Sequence, residues 1–288
     1  MNNLAWSVFW FMVFGLGLGG ILAYLGKIFA AEADEKIELI CDVLPSANCG
    51  GCGYASCEAL SKAIVEKRAK TNGCPVCTDE MCAEIAEIMG EQPLSSVRYR
   101  AQVMCSGTNS LAGEKYKYDG IHDCIGANRL AGGSKACPNG CLGLSTCAKN
   151  CKFDAIQIIN GVAAVDYDKC TACGACVAAC PKMIIKIIPF DSSHWVGCMS
   201  VEKGALTRKH CDIGCIACRQ CEKKCPEGAI KINDFCAAVD YGKCTDCGRC
   251  VEACSRRVIW SGDSQRREGI VRGTETKDTD IKDIKENL

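Results

Sequence analysis

Twenty-eight of the 288 residues are cysteine, and every one falls between Cys41 and Cys254. At roughly one residue in ten, sulfur chemistry rather than an aliphatic core must organise the fold. Disulfides, zinc and iron–sulfur clusters all use dense cysteine, and spacing separates them. Disulfide frameworks belong to short secreted chains, whereas here the cysteines recur two residues apart in fixed series, as the ligands of one metal centre do.

The clearest series is Cys244, Cys247, Cys250 and Cys254, a CxxCxxCxxxC run. A second copy is Cys170, Cys173, Cys176 and Cys180 followed by Pro181, and a third is Cys215, Cys218, Cys221 and Cys225 followed by Pro226. Zinc is satisfied by two CxxC pairs and has no use for a third close cysteine or the proline. In bacterial ferredoxins the first three cysteines hold one [4Fe–4S] cubane and the fourth reaches the other cluster of the pair, so such motifs come in twos. The 170–180 motif therefore expects a partner upstream, and Cys141, Cys147 and Cys151 stand there with Leu144 where a second cysteine is due. Aligning CPNGCLGLSTCAKNC (137–151) with CDIGCIACRQCEKKC (211–225) matches four cysteines. Cys105 pairs likewise with Cys198, and AAVDYDKCTACGAC (163–176) with AAVDYGKCTDCGRC (237–250), so the region is an internal duplication of about 103–187 and 196–260.

The crossover rule then gives four ligand sets. They are Cys137, Cys141, Cys147 and Cys180; Cys151, Cys170, Cys173 and Cys176; Cys215, Cys218, Cys221 and Cys254; and Cys225, Cys244, Cys247 and Cys250. Ser255 replaces the usual proline after Cys254 and removes no ligand. A different series, Cys49, Cys52, Cys57 and Cys74, lies upstream among Gly50, Gly51 and Gly53, which let the backbone wrap closely on a metal. Four thiolates there suit a fifth cubane or a structural zinc. Of the remaining cysteines, Cys41, Cys82 and Cys236 lie on apolar segments and read as core, and Cys77 is unassigned. Cys105, Cys124, Cys198 and Cys211 each precede a cluster motif and are candidates for a sixth cubane joining the two units.

The expected fold class is α+β: an N-terminal transmembrane helix, a small helical four-cysteine iron–sulfur module, and tandem bacterial-type 2[4Fe–4S] ferredoxin folds. The domains read as 1–30, an anchor; 33–93, the helical module; 94–190 and 191–260, the ferredoxin units; and 261–288, a polar tail. Helical periodicity runs over 34–44, 55–70 and 79–89, ending at Gly90, and short strands over 155–159 and 163–165. Residues 4–26 carry no charge and are long enough to span a bilayer, with Trp6, Trp10 and Tyr24 toward the ends. Lys27 and Lys36 follow the helix and no positive side chain precedes it, so the expected localisation is the cell membrane, single-pass, with the body on the reducing cytoplasmic side. Gly15, Gly17 and Gly20 spell a dinucleotide fingerprint, but inside an apolar run they lack the strand before and the helix after that such a site needs.

The net charge of zero hides an asymmetry. Residues 33–93 hold 11 acidic and 5 basic groups, net −6, and residues 94–258 hold 15 and 22, net +7. The basic excess either offsets thiolate-bound metal or offers a docking face to an acidic protein. No recognition-helix context surrounds it, so no nucleic-acid partner is expected.

An apolar N-terminal helix, the Cys49/Cys52/Cys57/Cys74 module and a C-terminal ferredoxin region, in this order over about 1–260, resemble the RnfB family, the B subunits of Rnf complexes, which are membrane-bound ferredoxin:NAD oxidoreductases that translocate ions. The chain departs from short members of that family in carrying two ferredoxin units. The resemblance implies a translocase subunit without a complete active site of its own. It would take electrons from reduced ferredoxin and pass them toward other membrane and flavin-carrying subunits, its body held at the membrane lipid. The residues by themselves support the narrower claim of an electron wire, since His122, His194 and His210 are isolated and no nucleophilic constellation is present. A polyferredoxin subunit of another membrane enzyme, such as a hydrogenase or formate dehydrogenase, is the competing reading. A redox sensor fits less well, for want of an output domain.

Overall fold

The structure is a computed structural model and describes residues 2–29, 35–94 and 97–262. Most of the expected polar tail, from 263 onward, lies outside the described residues. Helix α1 (Asn2–Phe29) is apolar and largely bare: Phe11, Phe14 and Leu16 are each more than 70% exposed. Trp6 stacks on Phe9 at 6.0 Å and meets Trp10 edge-on. The side chains described in α1 are Trp6, those of 9–22 and Tyr24; counted over the described residues, no helix is long and apolar enough to cross a membrane. The expected transmembrane anchor is therefore not shown by them.

Helices α2 (Glu35–Val43), α3 (Cys57–Val65) and α4 (Asp79–Met89) form the small module. Their apolar faces meet in a core of Ile40, Leu44, Leu60, Ile64 and Ile85. Local chemistry sets the boundaries: Ser56 accepts from the Ala59 N–H and Thr78 from the Met81 N–H, satisfying first-turn donors, and Gly90 closes α4 in the left-handed conformation.

The first ferredoxin unit contains β1 (Tyr99–Val103), α5 (Cys124–Arg129), α6 (Thr146–Lys149), β2 (Ile156–Ile159), β3 (Val162–Val165), α7 (Ala175–Ala179) and β4 (Ile185–Pro189). The second contains β5 (His194–Val196), α8 (Gly204–His210), α9 (Gln220–Lys224), β6 (Ile230–Asn233), β7 (Cys236–Val239), α10 (Arg249–Glu252) and β8 (Ile259–Ser261). Each unit closes its two ends as an antiparallel pair, β1 on β4 with Val103 opposite Ile185, and β5 on β8 with Val196 opposite Ile259. Each also carries an inner hairpin, β2–β3 turning at Asn160-Gly161 and β6–β7 at Asp234-Phe235, with positive φ at both central residues as a type I′ turn requires.

The cores between these sheets and the short helices are small and contain sulfur. Val103, Ile156, Val165, Ile184 and Ile185 pack with Cys141, Cys147 and Cys176, and Val196, Ile230, Val258 and Ile259 with Cys215 and Cys221. With so little aliphatic burial, metal loading and folding must be linked. The units adjoin through Met104, Ile188, Trp195 and Trp260. There the fully buried Arg100 guanidinium lies 3.8 Å from the Tyr167 ring and donates to the Ser192 carbonyl at 2.7 Å.

Candidate metal centres

Four ligand loops share one backbone pattern. Counting from Cys141, Cys170, Cys215 and Cys244, the second and fourth following residues all have positive φ: Gly143 and Ser145, Ala172 and Gly174, Ala217 and Arg219, Asp246 and Gly248. Alternation of right- and left-handed residues turns successive N–H groups to one side and makes an anion-binding concavity. Five of these eight are not glycine, which is unusual enough to mark a built site. Each loop runs into a short helix that carries its next cysteine, Cys147 on α6, Cys176 on α7, Cys221 on α9 and Cys250 on α10.

Five cavities, each lined by four cysteines, follow from this arrangement. Cys151, Cys170, Cys173 and Cys176 line one. Cys215, Cys218, Cys221 and Cys254 line another, and Cys225, Cys244, Cys247 and Cys250 a third. These quartets are the ones the crossover rule selects. Among the described residues no three His, Cys, Asp or Glu side chains converge on a single-ion position. The sulfurs stand around an apolar hollow instead, which suits a cubane rather than one ion with Zn–S bonds of about 2.3 Å.

In two cavities the lining differs from the expected sets. The cavity that holds Cys141, Cys147 and Cys180 has Cys124 as its fourth sulfur, not Cys137. The cavity between the units is lined by Cys105, Cys137, Cys198 and Cys211, with Cys137 where Cys124 was expected. The reason is an insertion: 31 residues separate Cys105 from Cys137, against 12 between Cys198 and Cys211. The insertion folds α5 over the first unit, where the Asp123 carboxylate accepts from the Gly126 N–H and the Thr146 hydroxyl, while the Thr146 oxygen accepts from the Cys124 N–H at 2.7 Å. Cys124 thereby supplies the sulfur that Leu144 withholds, and Leu144 and Leu142 pack beside it. Cys137 is left free to match Cys211, its partner in the duplication.

The fit to a negatively charged cluster is carried by backbone donors on sulfur. Ala155 N–H donates to Cys151 Sγ at 3.4 Å and Ala229 N–H to Cys225 Sγ at 3.3 Å, four residues on in both units. Cys141 N–H donates to Cys105 Sγ and Cys215 N–H to Cys198 Sγ, both at 3.4 Å. Burial raises the Cys137 thiol to about 11, helped by the neighbouring sulfurs of Cys198, Cys105 and Cys211 and opposed by the Asn139 N–H. It raises Cys147 to about 12, with Cys124 the next contributor. Such crowded thiols cannot all ionise without a cation among them.

The N-terminal series is arranged differently. Asn48 Oδ1 accepts from the Cys57 N–H at 2.8 Å, tying the 46–53 loop to the start of α3. Cys52, Cys57 and Cys77 pack against the module core that includes Cys74. Hydrogen bonding from the Cys77 thiol holds Cys74 down to about 6 against its burial, so the unassigned Cys77 is a donor to its neighbour. The loop abuts the first ferredoxin unit: the Lys152 ammonium donates to the Ala47 and Asn48 carbonyls at 3.2 and 2.9 Å.

Sequence reasoning also passed over three buried groups. His194, set aside as isolated, lines the 225/244/247/250 cavity and its Nδ1 lies 2.9 Å from Asp246 Oδ1. Cys236 donates to the Cys198 carbonyl at 3.2 Å, and Lys135 is 2% exposed. Their partners are 26 to 52 residues away in sequence, so no spacing signals them; only the basic excess hinted at an inward-facing cation.

Fold and cavities together define an iron–sulfur protein of the ferredoxin type. Residues 44–76 match the family described as "Putative Fe-S cluster", and residues 163–186 and 237–260 match the 4Fe-4S binding domain. The B subunit of the Na(+)-translocating ferredoxin:NAD(+) oxidoreductase complex of Acetobacterium woodii is 45% identical over 87% of this chain and 75% of its own length. The B subunit of the proton-translocating ferredoxin:NAD(+) oxidoreductase complex of Clostridium ljungdahlii is 37% identical over 96% and 95%, and that of the ion-translocating oxidoreductase complex of Methanosarcina acetivorans 38% over 85% and 93%. The chain belongs to this B-subunit family of ion-translocating, Rnf-type oxidoreductase complexes.

Proposed function

We propose that the chain is the multi-cluster relay of such a complex, taking electrons from reduced ferredoxin and handing them to the other subunits. The carrying observation is that the sulfur-lined cavities adjoin in series. The module loop touches the 151/170/173/176 quartet, and Cys147 neighbours Cys176. Cys141 N–H bonds Cys105 Sγ, and Cys215 N–H bonds Cys198 Sγ, so the quartet between the units is linked to both. Six [4Fe–4S] clusters, one per quartet with Cys49, Cys52, Cys57 and Cys74 holding the sixth, supply one-electron transfer when bound. The protein's part is to space the sulfurs, exclude water and supply N–H donors, which set the potentials.

The uncharged run of 4–26 and the bare apolar faces of α1 support a single membrane anchor with the body on the cytoplasmic side. The +7 balance of 94–258 supports docking of an acidic donor protein.

Anaerobic reconstitution of the full chain should give about 24 iron and 24 sulfide per chain at four per cubane. A value near 20 returns the quartet between the units to the core, and half of 24 sinks the two-unit reading. Reduced ferredoxin should then bleach the visible absorption of the chain at a rate that falls as ionic strength rises. Failure to bleach overturns the relay.

A further inference from the structure

Lys135 is the most deeply buried ammonium among the described residues, and nothing in the relay reading uses it. It is 2% exposed. Its Nζ donates to the Gly107 carbonyl and, at 3.1 Å, to the Gly161 carbonyl. No carboxylate among the described residues pairs with it. A buried charge without a counter-charge is strongly disfavoured, so a chain that keeps one there must set something negative beside it.

The surroundings say what that is. Gly107 packs against sulfur, its added Cβ meeting Cys211 Sγ at 3.3 Å and Cys105 Sγ at 3.8 Å. The Lys135 stem lies against Gly140, between Cys137 and Cys141. The ammonium acts electrostatically on Cys105, from the quartet between the units, and on Cys141, from the 124/141/147/180 quartet, favouring the thiolate of each against the larger effect of burial. It therefore faces two sulfur quartets at once.

The duplication makes this one-sided. Lys209 is the equivalent residue, two before Cys211 as Lys135 is two before Cys137, and Lys209 is exposed. What encloses Lys135 is the insertion that also carries Cys124: Lys115 N–H donates to the Ser134 carbonyl and Ala136 N–H to the Gly113 carbonyl, laying the 113–115 segment across it. The second unit has no counterpart of that segment.

We propose that Lys135 is a positioning residue for electron transfer, a fixed internal cation that raises the reduction potential of the two quartets it faces. Reduction of either centre adds one electron and one negative charge, which a nearby fixed positive charge stabilises. Electrons entering from the module would thus meet a favourable step at the middle of the chain. This role rests on the relay proposed above.

The test is an EPR-monitored redox titration of the reconstituted full chain and its K135Q and K135R variants, with iron counted in each. Gln retains a donor for the two carbonyls and removes the charge, and Arg retains the charge. The expected result is that K135Q lowers the midpoints of two centres and leaves the others, while K135R stays with the parent. In a C105S/C198S background, which removes the quartet between the units, K135Q should move only one. Loss of iron in K135Q but not in K135R also supports a charge role. Unchanged midpoints in K135Q, an equal fall in K135R, or iron loss in both overturn it. If the parent chain binds only five clusters, the reading of the middle quartet fails separately, and one moving midpoint would still uphold Lys135.

Discussion

Gly51 lies directly on Cys173: a Cβ added at Gly51 would stand 2.7 Å from the Cys173 carbonyl oxygen and 2.9 Å from its Cα. Backbone cannot yield as a side-chain end can, so only glycine lets the 49–52 loop seat against the 170–176 loop. G51V should push the module off the first unit with its own cysteines intact. Iron content should match the parent while electron exchange between module and body, followed by stopped-flow absorption, slows severalfold. G53A is the control: Gly53 has φ +85° with nothing near its Cβ position, so it costs about 1–2 kcal/mol of strain and no approach. Equal rates in G51V and the parent would mean electrons do not cross here.

Exchange of Cys124 and Cys137 between quartets predicts two distinguishable losses. C124S should remove about four iron atoms from the 141/147/180 centre, and C137S about four from the centre shared with Cys105, Cys198 and Cys211. The C105S/C198S/C137S triple variant should lose no more than C137S alone, whereas adding C124S to C105S/C198S should double the deficit. Iron analysis with integrated EPR spin counts decides it, and the opposite pattern would restore the pairing that the spacing alone suggests.

That exchange marks where local sequence information stops. The three CxxCxxCxxxC runs each specify three ligands of one quartet, because a loop with left-handed residues at fixed positions carries them to one side, a local property, and the crossover rule supplies the fourth. Hairpin and helix positions were also readable, since the Asn160-Gly161 turn, the Ser56 and Thr78 caps and Gly90 act within a few residues. Cys124 and Cys137 could not be sorted that way. Proximity in sequence favoured Cys137, and only the folded insertion, anchored through Asp123 and Thr146, brings Cys124 across 17 residues to Cys141. Lys135, His194 and Cys236 likewise take meaning only from partners in other elements.

Cys236, which the apolar strand around it marks as core, has Val162 as its equivalent in the first unit. Its single S–H, shared between the Cys198 carbonyl and the neighbouring sulfurs of Cys198 and Cys215, draws Cys198 to about 7 and Cys215 to about 6 against their burial. A donor on ligand sulfur stabilises the more negative, reduced centre and raises its potential. C236V, which installs the first unit's own residue, should keep all iron and lower the midpoints of the two centres that Cys198 and Cys215 serve. C236S, with a hydroxyl donor, should restore part of the shift. Midpoints unmoved in C236V would reduce Cys236 to packing.

Removal of residues 1–30 tests the anchor against the body. All 28 cysteines lie beyond that segment, and the module core of Ile40, Leu44, Leu60, Ile64 and Ile85 is complete without it. Phe11, Phe14, Leu16 and Leu22 of α1 are each more than 60% exposed, so they bury little in the body and their loss should cost it no core. A helix also satisfies most of its own backbone hydrogen bonds, so little downstream depends on its donors or acceptors. The truncated chain should therefore be recovered without detergent, with the same iron per chain and the same midpoints as the full chain, while the full chain partitions with membranes. Retention of the truncated chain in the membrane fraction would transfer the anchoring role to the body, and loss of iron on truncation would show that α1 supports a cluster.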